Sequence, residues 1–374
     1  MGVLRRWAAV VAVLVAAVTG CAPWPGGAAD ESGIRRAVAA RGDLVRGLLG
    51  GVPLASRAYR VLDVRHEGAR RATVDAELTY VLDGYDRAPA TVRRRLDLVE
   101  HDGRWRVTAD RPAEGQPAQL WDQGQVRAVR GTHSLVLGVG HPPALLGEVA
   151  AAADLAVPAV AAAWPGAAWR EKVVVLVPGS LDAMAALLGE GTAAYRGVAA
   201  VTTGRTGGGA ADRVVVNPEA YRDLGAFGRA FVLTHETVHV ATRADTSAAT
   251  PLWLSEGLAD KIAYRGTGRT AAEAAPELGR AMRAGNVPAA LPPDADFTSG
   301  GDPAAVARAY EGAWLACELI ADRWGEERLA DFYRAVGVSG ARRAFRDVLA
   351  TTPEEFTRAW QGRLRQEFSS APSR

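Results

Sequence analysis

The segment 231-FVLTHETVHVATR-243 contains two of the chain's six histidines, His235 and His239, with Glu236 directly after the first. The chain from about residue 225 onward is predicted to be mainly helical, and helical residues four apart lie on one face. Both imidazoles can then bind one metal ion at about 2.0–2.1 Å each. Glu236 would lie on the adjacent face, within reach of a water at the metal. The alternative is a helix with two purely structural histidines.

A catalytic zinc site needs a third protein ligand and an open position, and two acidic residues downstream compete for that role. Asp245 has the spacing of the metzincin peptidases, but those require a glycine where this chain has Thr242. Glu256, in 251-PLWLSEGLADKIAY-264, is the stronger candidate because Asp260 follows it by four residues on the same helix face. One carboxylate would bind the metal while the other accepts the outer N–H of an imidazole. The alternative is a pair of solvated acids on a surface helix.

The motifs HETVH and PLWLSEGLAD together resemble the gluzincin metallopeptidases, in particular the minimal peptidase domains of the thermolysin and membrane-aminopeptidase superfamily. The resemblance covers roughly residues 125–368 and implies a peptide or protein substrate. It implies one Zn²⁺ per chain, bound by His235, His239 and Glu256, with Glu236 as general base and Asp260 as hydrogen-bond acceptor for a ligating imidazole.

The same resemblance carries further expectations. Related enzymes often place a tyrosine where Tyr310 begins the helical stretch 309–336, with its hydroxyl donating to the developing oxyanion; the alternative is a core or capping aromatic. Such folds align an extended peptide on an edge strand, for which 197–203 and 213–218 are candidates. The Gly-x-Met-Glu-Asn segment of the aminopeptidase branch is missing from the sequence, so amino-terminal exopeptidase activity is not expected.

The first twenty residues have the pattern of an export signal, with Arg5 and Arg6 before an apolar core at 7–19. The core ends at 18-VTGC-21, which resembles a bacterial lipobox, so Cys21 is predicted to carry a lipid. Residues 21–29 then form a tether, and the protein is expected outside the cytoplasm, anchored to the bacterial cell membrane. The alternative is an ordinary signal peptide with a chance cysteine.

The rest of the chain is predicted to be α+β. Residues 30–112 read as one helix and four alternating strands, a module that resembles the nuclear-transport-factor-like or cystatin-like group. A Pro- and Gly-rich linker at 113–124 is followed by a zincin-like domain at 125–368, with a mixed sheet, an active-site helix and a mainly helical carboxyl-terminal part.

Charge and cysteine content exclude some classes of protein. The chain has 44 basic and 42 acidic residues, and the two leader arginines account for the excess. A neutral mature chain gives no electrostatic footprint for nucleic acid. Cys317 is the only cysteine besides Cys21, so no internal disulfide is expected. The oligomeric state is left open by the sequence.

The sequence therefore predicts a membrane-anchored, extracytoplasmic zinc peptidase that uses metal-activated water and a glutamate base. The alternative is a catalytically idle, zinc-binding surface lipoprotein that acts as a binding or assembly module. The presence of all three candidate ligands and of Glu236 favours the enzyme.

Overall fold

The computed structural model describes residues 27–49, 51–166, 168–204, 210–298 and 302–369. The predicted leader (1–20) and the predicted lipid site at Cys21 lie outside these residues. The described chain is α+β, with one antiparallel and one mixed sheet and a mainly helical carboxyl-terminal part. This confirms the predicted fold class.

A helix and an antiparallel meander form the amino-terminal module. Helix α1 (Gly27–Leu48) precedes β1 (Leu54–His66), β2 (Arg71–Leu82), β3 (Ala90–His101) and β4 (Arg104–Pro112), which pair in sequence order. Every second residue of β2 is apolar, so one face of the sheet packs under α1. The buried cluster comprises Ile34, Val38, Ala72, Val74, Ala76, Leu96, Leu98 and Trp105.

A buried ion-pair network ties this sheet to the following segment. Arg94 in β3 is 1% exposed, and its Nε donates to Asp110 at 2.8 Å. Its two terminal nitrogens bind both oxygens of Asp122 at 2.8 and 2.6 Å, the bidentate geometry that favours arginine. Asp110 also accepts from the Tyr59 hydroxyl at 2.7 Å. The segment predicted as a linker is thus held on the module through Asp122.

The second sheet contains five strands in the order β5-β6-β7-β9-β8: β5 (Arg127–Arg130), β6 (Ser134–Gly138), β7 (Val173–Val177), β8 (Ala200–Thr203) and β9 (Arg213–Val216). β6, β7 and β9 are parallel, while β5 and β8 run antiparallel at the two edges. Of the two candidate edge strands, 197–203 contains β8 and is at the edge. The candidate 213–218 is wrong, because β9 is paired on both sides.

Helices pack on both faces of this sheet and build the carboxyl-terminal part. Their bounds are α2 (Pro143–Ala163), α3 (Leu181–Leu188), α4 (Pro218–Asp223), α5 (Ala226–Thr242), α6 (Leu252–Tyr264), α7 (Ala271–Ala274), α8 (Pro276–Arg283), α9 (Pro303–Trp324), α10 (Glu326–Ser339), α11 (Ala341–Leu349) and α12 (Pro353–Ser369). A capping box begins α12, with Glu355 N–H donating to the Thr352 hydroxyl at 3.1 Å and Thr352 N–H to the Glu355 carboxylate at 3.0 Å. α2 and α5 pack on the sheet, and α6 and α9 to α12 form the largest core.

Among the described helices, α2 is long and apolar enough to cross a membrane by composition alone. Seven of its side chains, from Leu146 to Val160, are buried in this fold. Five of them pack with strand residues such as Val175 and with Leu233 of α5. The apolar composition of α2 is therefore explained by a core position.

The amino-terminal module packs on the face of the second sheet that lies opposite α2 and α5. Leu82 and Tyr85 share a cluster with Leu137 and Val174, and the Tyr85 hydroxyl donates to the Ser134 carbonyl at 2.9 Å.

An ion pair reinforces this contact. The Asp86 carboxylate, 0% exposed, binds Arg213 of β9 at 2.9 Å and accepts the Ala211 N–H at 2.9 Å. The module is thus joined directly to the strand beside β8.

Arg94→Ala is expected to destabilise the protein by about 3–5 kcal/mol, because it removes a buried cation that pairs with two carboxylates, Asp110 and Asp122. Chemical denaturation of the full chain measures the free energy of unfolding. Arg60→Ala is the matched control: Arg60 is 66% exposed in its side chain and pairs with Glu77 at 2.8 Å, so its loss should cost less than about 1 kcal/mol. Equal effects of the two substitutions would contradict the structural role of the Arg94 network.

Candidate metal centre

Two helices supply the predicted metal ligands. α5 carries His235, Glu236 and His239, and α6 begins directly after Pro251 and carries Glu256 and Asp260. The two helices pack against each other. The residues spaced four apart on each helix therefore meet across one interface.

His235, His239 and Glu256 form a group of ligand atoms that could hold a metal ion. The two Nε2 atoms are 3.1 Å apart, and Glu256 Oε2 lies 3.1 Å from His235 Nε2 and 3.4 Å from His239 Nε2. Tetrahedral coordination with bonds of about 2.0–2.1 Å requires ligand atoms about 3.3–3.4 Å apart. The triangle thus fits a single small cation.

Asp260 fixes the orientation of His235. Its Oδ1 lies 2.8 Å from His235 Nδ1, so the proton on Nδ1 donates to Asp260 and the Nε2 lone pair faces the shared point. This is the contact that the sequence predicted for Asp260, and both groups are buried.

The electrostatics of the cluster favour positive charge. Burial opposes protonation of His235, but the hydrogen bonds to Asp260 and Glu256 outweigh it and raise its pKa well above the usual value. Burial works against the charged form of Glu256, yet the neighbouring His239 and His235 hold the pKa of that carboxyl far below its usual range. The carboxylates therefore attract cationic charge to this point, and a divalent ion satisfies the same demand.

The competing ligand Asp245 is not part of this group. Its carboxylate accepts from Trp164 Nε1 at 3.3 Å and lies 3.8 Å from Arg334. Glu256 is therefore the carboxylate that the fold brings to the two imidazoles.

A glycine lets the Glu256 helix approach its neighbour. A methyl group on Gly257 would overlap the Ala313 carbonyl oxygen of α9 and crowd the Cys317 sulfur. Cys317 is fully buried, and burial raises the pKa of its thiol, so it acts as a small packing residue. The close contact at Gly257 sets the position of the adjacent Glu256.

A cavity of about 320 Å³ opens beside the cluster. Its walls are mostly apolar and aromatic and include three acidic side chains. It is lined by Ala199, Ala200, Phe231, Val232, His235, Glu236, Asp260, Tyr264, Ala274, Ala307, Tyr310, Glu311 and Trp314. A larger groove of about 820 Å³ lies between α8 and α9 and contains none of the metal-ligand candidates.

Tyr310 faces the cluster from α9. Its ring centroid is 6.3 Å from that of His235 and 5.1 Å from that of Phe297. Burial, followed by the charges of Glu256, Asp260 and Glu236, raises the pKa of the Tyr310 hydroxyl, which keeps its proton available for donation. The expected helix start at 309 is wrong, because α9 begins at Pro303 with Asp302 as its cap.

The structure adds site residues that the sequence reasoning missed. Phe231, Tyr264 and Trp314 form one wall, with ring centroids 4.5 Å apart for the first pair and 4.9 Å for the second. Phe231 lies four residues before His235, a helical spacing that could have indicated it. Thr202 of β8 contacts Glu236 at 2.6 Å, and no local pattern indicates that contact.

Comparison with protein-family models and with curated proteins finds no match to this chain.

Glu256→Ala should abolish binding of a stoichiometric metal ion, because two imidazoles alone leave the site without its charged ligand. Asp260→Asn should weaken metal affinity by about 10–100-fold through loss of imidazole orientation. Metal content per chain and titration with Zn²⁺ measure both effects. Asp245→Asn is the control and should bind metal like the parent; loss of metal in that variant alone would reverse the ligand assignment.

Gly257→Ala should lower stability by about 1–3 kcal/mol through overpacking and reduce metal affinity by moving Glu256. Gly362 in α12 has no atom within 4 Å of an added methyl group, so Gly362→Ala should be neutral or slightly stabilising. Thermal unfolding and metal titration of both variants make the comparison. A Gly257→Ala protein as stable as the control would show that the α6–α9 contact can relax.

Proposed function

We propose that this protein is a zinc-dependent peptidase of the gluzincin type. The observation that carries the proposal is the triangle of two imidazole nitrogens and one carboxylate oxygen, at 3.1, 3.1 and 3.4 Å, beside the cavity. A mixed nitrogen and oxygen donor set of two histidines and a glutamate matches catalytic zinc, which uses three protein ligands and keeps a fourth position open. Zn²⁺ bound there would act as a Lewis acid on water and on the scissile carbonyl.

Glu236 is the proposed general base. It follows the first ligand in the sequence, is 7% exposed and lines the cavity. Its carboxylate takes a proton from the attacking water and delivers it to the leaving nitrogen. The same carboxylate serves both proton transfers. Because water is the nucleophile, no covalent intermediate with the protein is needed.

Tyr310 and β8 complete the proposed mechanism. The protonated Tyr310 hydroxyl donates to the carbonyl oxygen as negative charge develops there. The outer edge of β8 is opposite its pairing with β9, and it aligns an extended peptide through backbone hydrogen bonds. Peptides or proteins are therefore the proposed substrates.

The proposed location follows from the sequence. In this proposal, residues 1–20 act as an export signal and Cys21 carries a lipid that holds the protein on the outer side of the bacterial membrane. The balanced charge makes nucleic acid an unsuitable partner.

Glu236→Gln should retain metal and lower the turnover number by about 10²–10⁴-fold, because the amide cannot accept the proton. Cleavage of a mixed peptide library by the zinc-loaded full chain, with and without a chelator, measures the activity. Metal content of the variant is the control for an intact site.

Two outcomes would contradict the proposal. A Glu236→Gln protein that cleaves at the parental rate would remove the general base from the mechanism. A zinc-loaded parent that cleaves no peptide would favour the idle zinc-binding lipoprotein that acts as a binding or assembly module.

A further inference from the structure

The Glu236 carboxylate is held by a side chain from the edge of the second sheet. The Thr202 hydroxyl lies 2.6 Å from Glu236 Oε2 and 3.1 Å from the Glu236 backbone carbonyl. A hydroxyl has one proton to donate, and the carbonyl lies inside α5, where helical carbonyls already accept from the next turn. The proton therefore goes to the carboxylate, at the short distance typical of an O–H to carboxylate hydrogen bond.

The strand geometry explains why Thr202 reaches Glu236. Alternate residues of a strand point to opposite faces. Ala200 packs in the cluster with Leu233 of α5, whereas Val201 packs in the cluster with Leu181 of α3. Thr202 shares the face of Ala200 and so points at α5. The backbone of Thr202 is paired with Val214 of β9. This pairing fixes the position of Thr202 relative to the length of α5.

No other side chain among the described residues donates to the Glu236 carboxylate. A glutamate has three rotatable side-chain bonds, and a single strong hydrogen bond removes much of that freedom. The two nearest residues of the same helix, His235 and Thr237, are bonded elsewhere, to Asp260 and to the Leu233 carbonyl. The orientation of Glu236 therefore depends on Thr202.

We propose that Thr202 is a positioning residue that orients the Glu236 carboxylate toward the attacking water. The proposal rests on the peptidase function proposed above and extends it. The strand that aligns the peptide through its backbone also orients the base through one side chain. Substrate and base are thereby placed by the same rigid element.

Thr202→Val tests the proposal, because valine keeps the shape and strand propensity but lacks the hydroxyl. A hydrogen bond to a charged group contributes about 1.5–3 kcal/mol, so kcat should fall about 10–100-fold while KM changes little. Thr202→Ser retains the hydroxyl and should recover most of kcat. Metal content should match the parent in both variants.

Thr108→Val is the matched control. Thr108 is also a strand threonine, and its hydroxyl donates to the Asp97 carbonyl at 3.1 Å in the amino-terminal sheet. Its loss should leave kcat and KM unchanged. An equal fall of kcat in this control would show that the effect of Thr202→Val is not local.

An infrared measurement gives a readout that is independent of turnover. The carboxylate band of Glu236 is identified in the zinc-loaded full chain as the difference between the parent and Glu236→Gln. That band should shift in the Thr202→Val background and return in Thr202→Ser. An unshifted band, or a Thr202→Val protein with parental kcat or with only KM altered, overturns the proposal.

The two proposals fail in different ways. A parent that cleaves no peptide, while the Glu236 band still responds to Thr202→Val, rejects the peptidase function and supports the orientation of Glu236 by Thr202. If the parent cleaves peptides, and Thr202→Val changes neither the infrared band nor kcat, the peptidase function is supported and the positioning role is rejected.

Discussion

Two imidazole nitrogens and a carboxylate oxygen converge within 3.4 Å of one another, and the rest of the site depends on that convergence. Three electron-rich atoms so close together, in a place that largely excludes water, need a positive charge between or upon them. The Asp260–His235 contact at 2.8 Å directs one lone pair to the shared point. The backbone must then hold the two helices in a fixed crossing, because a shift of α6 by a fraction of an ångström would move Glu256 away from both rings.

Packing behind the site provides that fixed crossing. Gly257 lets α6 lie directly against α9, and the same contact buries Cys317. α9 in turn carries Tyr310, whose ring faces His235 at 6.3 Å. One helix therefore both contacts the helix that carries Glu256 and supplies Tyr310, which lines the cavity. Dense interior packing is sufficient to fix the positions of α6 and α9. The described residues therefore need no disulfide for this purpose.

Local patterns were sufficient to predict part of this structure. The histidines and the Glu256–Asp260 pair are each four residues apart on a helix, and that spacing places them on one face without knowledge of the fold. The strands of the first sheet were predicted from their alternation. The start of α9 was misplaced although Asp302 and Pro303 carry a cap and first-turn signal. Sheet order was not readable, because β8 and β9 are both short apolar runs and only their pairing distinguishes an edge strand from an inner one. The Thr202–Glu236 contact spans 34 residues and depends on that order.

The amino-terminal module adds a constraint on the same edge. Asp86 binds Arg213, and in β9 Arg213 is paired with Thr203, the neighbour of Thr202. On the other side, Asp212 binds Arg243, the residue that follows α5, at 2.8 Å. β9 is therefore held between the module and the helix that carries the histidines. The edge strand β8 is paired on one side only, with β9. Contacts from the amino-terminal module and from the end of α5 fix β9. The module thus packs as part of the structure that supports β8, since the Asp86 carboxylate is fully buried at this contact.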